Sequence, residues 1–324
     1  MSSQATGHDV SVVICTYSNV RWGDLVAAVR SVEEQTPPPA EIVIVVDHNS
    51  GLLVHARTAF PGALVVPNGQ TRGLSGARNS GVAASTGSIV AFLDDDASAE
   101  PGWLAGLLGP YEDAKVVAVG GSAIPAWDAR RPAWFPGEFD WVVGCSYVGL
   151  PRARANVRNV IGCNMSFRRS VLDLVGGFRP EIGRVGTRPV GCEETELCIR
   201  AARTDPRARV VYEPAARVRH RVPASRGTVR YFVSRCYSEG RSKAIVSALV
   251  GAGDGLSSER AHTLRTLPAG MVRALGDGFR TRRVAGFARA TMIPIGLVVT
   301  GAGYLVGLVG PAVRPSSARH EPSR

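Results

Sequence analysis

Three apolar runs in the first hundred residues limit the fold more than any other feature of this chain. Val10–Cys15 (VSVVIC), Glu41–Asp47 (EIVIVVD) and Ser88–Asp94 (SIVAFLD) are short, β-branched and almost unbroken in their apolar character. Runs of this kind read as strands covered on both faces, because a half-exposed strand alternates polar with apolar. The stretches between them have helical spacing: Trp22–Gln35, stopped by Pro37–Pro39, and Leu74–Ser85. Ala63–Val66 reads as a weaker strand, Pro101–Leu108 as a helix with proline in its first turn, and Val116–Ala123 as a further strand. Strand and helix in this alternation predict an α/β fold, a Rossmann-like, mostly parallel sheet flanked by helices with right-handed crossovers. Such sheets bind ligands beyond the carboxyl ends of their strands. Asp47 and Asp94 each close a strand, so both are expected at that edge.

From Pro125 to Arg158 the periodicity fades, and Trp127, Trp134 and Trp141 favour a folded binding loop over disorder. Order returns at Asn159–Phe167, at a helix over Glu193–Arg203, at a strand over Arg209–Glu213 and at a helix over Thr228–Val250. No internal repeat is visible.

Three constellations carry chemistry. Asp94, Asp95 and Asp96 follow one another at the mouth of a buried strand, where they repel one another unless a cation neutralises them. An acidic turn or a helix cap is the alternative. Its neighbours shift the balance: Asp47 ends a second strand, followed by His48, Asn49, Ser50 and Gly51. Between the two lies a glycine-rich turn, Asn68–Asn79 (NGQTRGLSGARN), that opens a helix. It allows close backbone approach, and the guanidinium groups of Arg72 and Arg78 suit phosphate oxygens. The turn is neither a Walker loop nor a GxGxxG. The second constellation is Gly191–Arg200 (GCEETELCIR), whose Glu193 and Glu194 could simply favour the first turn of a helix through its dipole. The third is His220, a lone histidine in VRHRV.

Together SVVICTY, VVDHNS, NGQTRGLSGARNSG and FLDDDA resemble, in order and spacing, glycosyltransferase family 2, enzymes of the GT-A fold. The resemblance covers about residues 10–220. It implies that Thr16, Tyr17 and Asp47 hold the nucleotide base and ribose. The acidic cluster corresponds to the family's DxD-type element, with Asp94 facing the nucleoside beside Asp95, and Asp96 binding the divalent metal that grips the diphosphate. The implied cofactor is Mn2+ or Mg2+, and the donor a nucleotide sugar, with UDP as the expected carrier. His48 stands where a second Asp is more usual. GCEETELCIR is similar to the family's acidic pair, with Glu where Asp is more frequent, so the catalytic base maps to Glu194 and Glu193 supports it. Many GT-A enzymes complete the metal site with a histidine after the core, which gives Asp94, Asp96 and His220 as metal ligands here. The implied reaction is a single displacement that inverts the anomeric centre.

The rest of the chain bears on location. Formal charge is +11 and the pI near 10.0, yet ten arginines against three acids fall after Ser257. A basic tail beside an apolar run points to a membrane surface, not to nucleic acid. Ala290–Val313 holds 24 residues without a charge, about 36 Å as a helix and enough to cross a hydrocarbon core. It contains Pro294, Pro311 and Gly303-x-x-x-Gly307, a spacing that permits close helix packing in a bilayer. Arg280, Arg282, Arg283 and Arg289 precede the run, and the positive-inside rule then puts the enzyme on the cytoplasmic face of the membrane. Six cysteines without metal spacing fit a reduced compartment, and Met1–Asp9 has no secretory character. The expected organisation is a catalytic domain over 1–225, divided into a donor-binding half (10–123) and an acceptor-binding half (124–225). A basic helical extension (226–289), a membrane-associated or spanning segment (290–313) and a tail (314–324) follow.

The sequence therefore predicts an inverting, metal-dependent glycosyltransferase. Its expected acceptor is a lipid-linked saccharide or an envelope glycan, since some relatives of this layout act as glucuronosyltransferases on dolichyl-phosphate-linked glucose. A nucleotidyltransferase can use a similar sheet but does not call for Glu193–Glu194. A non-catalytic, membrane-tethered sugar-nucleotide-binding module would not need both acidic constellations.

Overall fold

The computed structural model describes residues 9–183, 191–251 and 261–309. Of the segments delimited above, residues 1–8, 310–313 (with Pro311) and the tail at 314–324 lie outside the described residues.

Each of the three apolar runs is a strand: β1 (Val10–Thr16), β2 (Glu41–Val46) and β4 (Ile89–Asp94), with β3 (Leu64–Pro67) beside β2. They pair in parallel in the order β3-β2-β1-β4. Their apolar character has a simple cause: alternate residues feed two separate cores. Val12, Ile14, Ile44 and Val46 pack under α1 (Trp22–Glu33), α2 (Ser50–Ala59) and α4 (Trp103–Leu108). Val13, Val43, Val45 and Phe92 face α3 (Leu74–Ala84), α5 (Arg169–Val175) and α6 (Glu193–Ala202).

The second half departs from the parallel expectation. The sheet continues β4-β8-β6-β9-β5, through β8 (Asn164–Arg168), β6 (Val116–Trp127), β9 (Arg209–Val222) and β5 (Ala97–Ala99). β8 runs antiparallel to both of its neighbours, β6 and β9 are parallel, and β5 and β7 (Ala155–Asn156) pair antiparallel with β9. The nine-stranded sheet is therefore mixed, and both expected halves of the catalytic domain contribute to it. A buried asparagine pins the antiparallel part. Asn164 accepts from Trp103 Nε1 at 2.7 Å and donates to Ser122 O and Ala216 O at 3.0 and 2.9 Å.

The irregular stretch after β6 is folded on aromatic contacts. Phe135 and Phe139 pack with Phe232 at ring distances of 5.4 and 5.2 Å, and Trp134 stands edge-on to Phe232. Phe232 belongs to α7 (Val229–Val250), which is followed by α8 (Leu267–Thr281) and α9 (Val284–Val309). The loop thus anchors the C-terminal helices to the sheet, with Leu267, Met292 and Ile293 in the same cluster. The last helix starts six residues before the predicted apolar segment.

Candidate active site

Parallel pairing puts the strand ends side by side: Cys15 is opposite Asp94, and Thr16 opposite Val46. Asp47, just past β2, organises the glycine-rich turn. One of its oxygens accepts from Gly73 N at 3.0 Å, the other from Asn68 Nδ2 at 2.7 Å, and His48 Nδ1 lies 2.8 Å away. The turn needs glycine at position 76, because a Cβ there would lie 2.0 Å from Thr71 O. Tyr17 and Arg72 are exposed at this rim, whereas Thr16 is buried beneath it.

The acidic cluster is met by a strand from the second half of the chain. β5 continues β4 past the aspartates, and its register pairs Ala97 with His220 of β9. His220 is thereby seated beside Asp96, with Nε2 at 3.3 Å from Oδ1. Asp94, Asp96 and His220 each offer a ligand atom, all within 4.8 Å of one another. Two carboxylates and one imidazole could hold a divalent ion such as Mn2+.

Two arginines that no motif marks share this cluster. Arg21 Nη1 lies 2.8 Å from Asp95 and 3.1 Å from Asp96, and Arg226 Nη2 lies 3.6 Å from Asp96. Burial alone raises the Asp96 carboxyl, but His220, Arg21 and Arg226 outweigh it and hold it well below the usual carboxylate range. Asp95 goes the other way. Burial lifts it to about 6 despite its bond to Arg21. Asp96 thus stays ionised and ready for a cation.

Arg78, expected to face a phosphate, is instead almost fully buried. Its guanidinium donates to Glu193 Oε1 at 2.9 Å, Gly162 O at 2.9 Å and Asp94 Oδ1 at 3.3 Å. It ties the two acidic constellations together. Glu193 is consequently held in the interior, while Glu194, next along α6, is half-buried. Desolvation first, then the charge of Glu193, push the Glu194 carboxyl up to about 8. Two residues on, Glu196 is fully buried between Arg200 at 2.6 Å and Arg179 at 2.7 Å. Arg200 also donates to Val175 O and Gly177 O, which fixes α6 against the turn after α5.

One cavity of about 360 Å3 connects these parts. Asp94, Glu193, Glu194 and His220 line it from the sheet and α6. Arg235 and Lys243 of α7, and Leu297 and Tyr304 of α9, line it from the C-terminal helices. Those helical residues belong to no recognised motif. Only the fold shows that the segment after residue 226 forms a wall of the same space.

A half-sheet with a glycine-rich turn, an Asp/His cluster at its strand ends and a second carboxylate pair across the cavity has the layout of a GT-A sugar transferase. The chain belongs to glycosyltransferase family 2: the family model described as Glycosyl transferase family 2 matches residues 11–176. It is 35% identical to the glucosyl-dolichyl phosphate glucuronosyltransferase of Haloferax volcanii over 93% of this chain and 97% of that one. It is 25% identical to the succinoglycan biosynthesis protein ExoM of Rhizobium meliloti, over 79% and 77% of the two chains. Among solved structures, a mannosyltransferase from Pyrobaculum calidifontis in complex with GDP-Man and Mn2+ superposes with a TM-score of 0.56 at 20% identity. That match covers 93% of this chain and 86% of the other. GalNAc-T7 with UDP, GalNAc and Mn2+ superposes with a TM-score of 0.51 at 18% identity, over 81% and 55% of the chains.

Proposed function

We propose that this glycosyltransferase transfers a sugar, of which glucuronate is the favoured case, from a UDP-linked donor to a sugar carried on a polyprenyl or dolichyl phosphate, at the cytoplasmic face of a membrane. The observation that carries the acceptor class is the cavity, whose walls are the two acidic constellations on one side and, on the other, Arg235 and Lys243 of α7 with Leu297 and Tyr304 of α9. The similarity to the Haloferax volcanii enzyme supports the same class.

In this reading Asp94, Asp96 and His220 hold a divalent ion. That ion supplies positive charge opposite the departing diphosphate. Asp47, Thr16 and Tyr17 form the nucleoside end of the donor site, and Arg72, exposed at the glycine-rich turn, reaches the diphosphate. Asp95 keeps Arg21 beside the cluster. Glu194 takes the proton from the acceptor hydroxyl while that oxygen attacks the anomeric carbon from the face opposite the leaving group. Its raised pKa makes it a stronger base than an ordinary carboxylate. Glu193, neutralised by Arg78, positions α6 and biases Glu194 rather than accepting the proton itself.

The test is to incubate the full-length chain with Mn2+, a panel of UDP-sugars and glucosyl polyprenyl phosphate, then read the lipid product by mass spectrometry. Addition of one glucuronosyl residue is the expected result. Transfer only to water-soluble glycans, with the lipid untouched, contradicts the acceptor assignment.

A further inference from the structure

The C-terminal helices carry an apolar surface that catalysis does not use. The most apolar part of α9 has a mean hydropathy of 2.0, yet only 22% of it is buried. Val298, Leu305, Val306 and Val309 stand exposed on α9, and Val272, Leu275 and Phe279 on α8. Phe279 meets Phe287 of α9 edge-on at 5.0 Å, so the two surfaces join at the turn between the helices. Exposed arginines 265, 280, 282 and 283 surround them. The acid described in α8, Asp277, is paired with Arg280 and Arg289. Apolar patches of this extent on a soluble chain mark an interaction surface.

By composition α9 could cross a bilayer, but its packing against the rest of the chain opposes it. The first half is fixed to the catalytic domain: a Cβ on Gly296 would lie 2.4 Å from the Phe139 ring, and Arg289 donates to Ala133 O. Beyond Gly296 the described part of the helix holds Leu297–Val309, about 20 Å against a hydrocarbon core of about 30 Å. Those residues also lie along α7. A Cβ on Gly240 would meet Thr300 O at 2.0 Å, and one on Gly303 would meet Tyr237 O at 2.1 Å. Gly303 and Gly307 therefore pack within the chain, leaving that face with no helix of another copy to receive. A crossing would draw the Arg235, Glu239, Arg241 and Lys243 of α7 into lipid, where charged side chains are costly.

We infer that α8 and α9 form a docking face that lies in the surface layer of an anionic bilayer and does not cross it. The exposed apolar side chains enter the headgroup boundary while the arginines meet lipid phosphates. This rests on the reading of a lipid-linked acceptor, and it adds how the enzyme reaches one: with α9 at the lipid boundary, the cavity wall formed by Leu297 and Tyr304 faces the layer that holds the substrate.

Sidedness and binding test it together. Ser3→Cys and Ser317→Cys variants of the full chain are labelled with an impermeant maleimide in sealed vesicles from expressing cells. Both sites are expected to react from one side, and reaction of only one in intact vesicles, with both reacting after lysis, overturns the proposal. Val298→Asp combined with Leu305→Asp should lower flotation with phosphatidylglycerol-containing vesicles by about tenfold, with circular dichroism and donor hydrolysis unchanged. Undiminished flotation, or a lipid-free dimer that the same variant dissolves, overturns it. A chain that transfers sugar but never binds vesicles refutes the docking alone, and a bound chain with no donor turnover refutes the transferase reading alone.

Discussion

At the residue scale, chemistry depends on which carboxylate is free to take a proton. Glu193 is bonded to Arg78, whereas Glu194 borders the cavity with its pKa raised to about 8. Glu194→Gln should keep donor affinity and lower turnover by about two to four orders of magnitude, measured as Kd and kcat side by side. A base works only when deprotonated, so kcat should fall as pH drops below the Glu194 pKa. Glu193→Gln removes a neighbouring negative charge, which lowers that pKa, so the acid limb should move to lower pH in the rate profile. Arg78 makes a different kind of prediction. Arg78→Met leaves the buried Glu193 without its cation and half-buried Asp94 without one partner, and should destabilise the fold by about 3–5 kcal/mol, read from urea denaturation. Asp96→Ala should abolish Mn2+ binding measured calorimetrically, because it removes one of the two carboxylate donors of the Asp94–Asp96–His220 group.

At the element scale, the parallel half was legible because each of its strands feeds two cores and therefore reads as an apolar run. The acidic cluster and the Glu pair were legible for a similar reason: each sits where a strand or helix must end or begin. What escaped was the part built by long-range pairing. The antiparallel direction of β8, the extension of β6 and β9, and the short β5 that seats His220 are set by strand register, which leaves no local periodicity. Arg78 shows the same limit, since an arginine in a glycine-rich turn looks like a phosphate ligand until Glu193 arrives from a helix more than a hundred residues away. Gly303 looked like a bilayer motif and packs instead on Tyr237 within the chain. Gly303→Leu should therefore loosen α9 from α7 and destabilise the helical extension by about 1–3 kcal/mol. Hydrogen exchange should show the change in α7 and α9 but not in β1, β2 and β4.

At the scale of the whole molecule, the C-terminal helices close a cavity against the strand ends of the sheet, and the proposed function places the donor at the sheet edge and the acceptor in that cavity. α7 carries both Phe232 of the aromatic anchor and Arg235 and Lys243 of the cavity wall, so in the proposed reading one helix borders both the acceptor space and the C-terminal helices. In the proposed function the Asp94–Asp96–His220 cluster and Glu194 serve one inverting, metal-dependent sugar transfer. The most direct test follows the donor's fate: the full chain is given a nucleotide sugar and acceptor with Mn2+, then with excess chelator, and both the released nucleotide and the product's anomeric configuration are determined by NMR. Release of nucleoside diphosphate, an inverted linkage, and loss of both in chelator are expected. Release of pyrophosphate, a retained configuration, or undiminished transfer in chelator would contradict it.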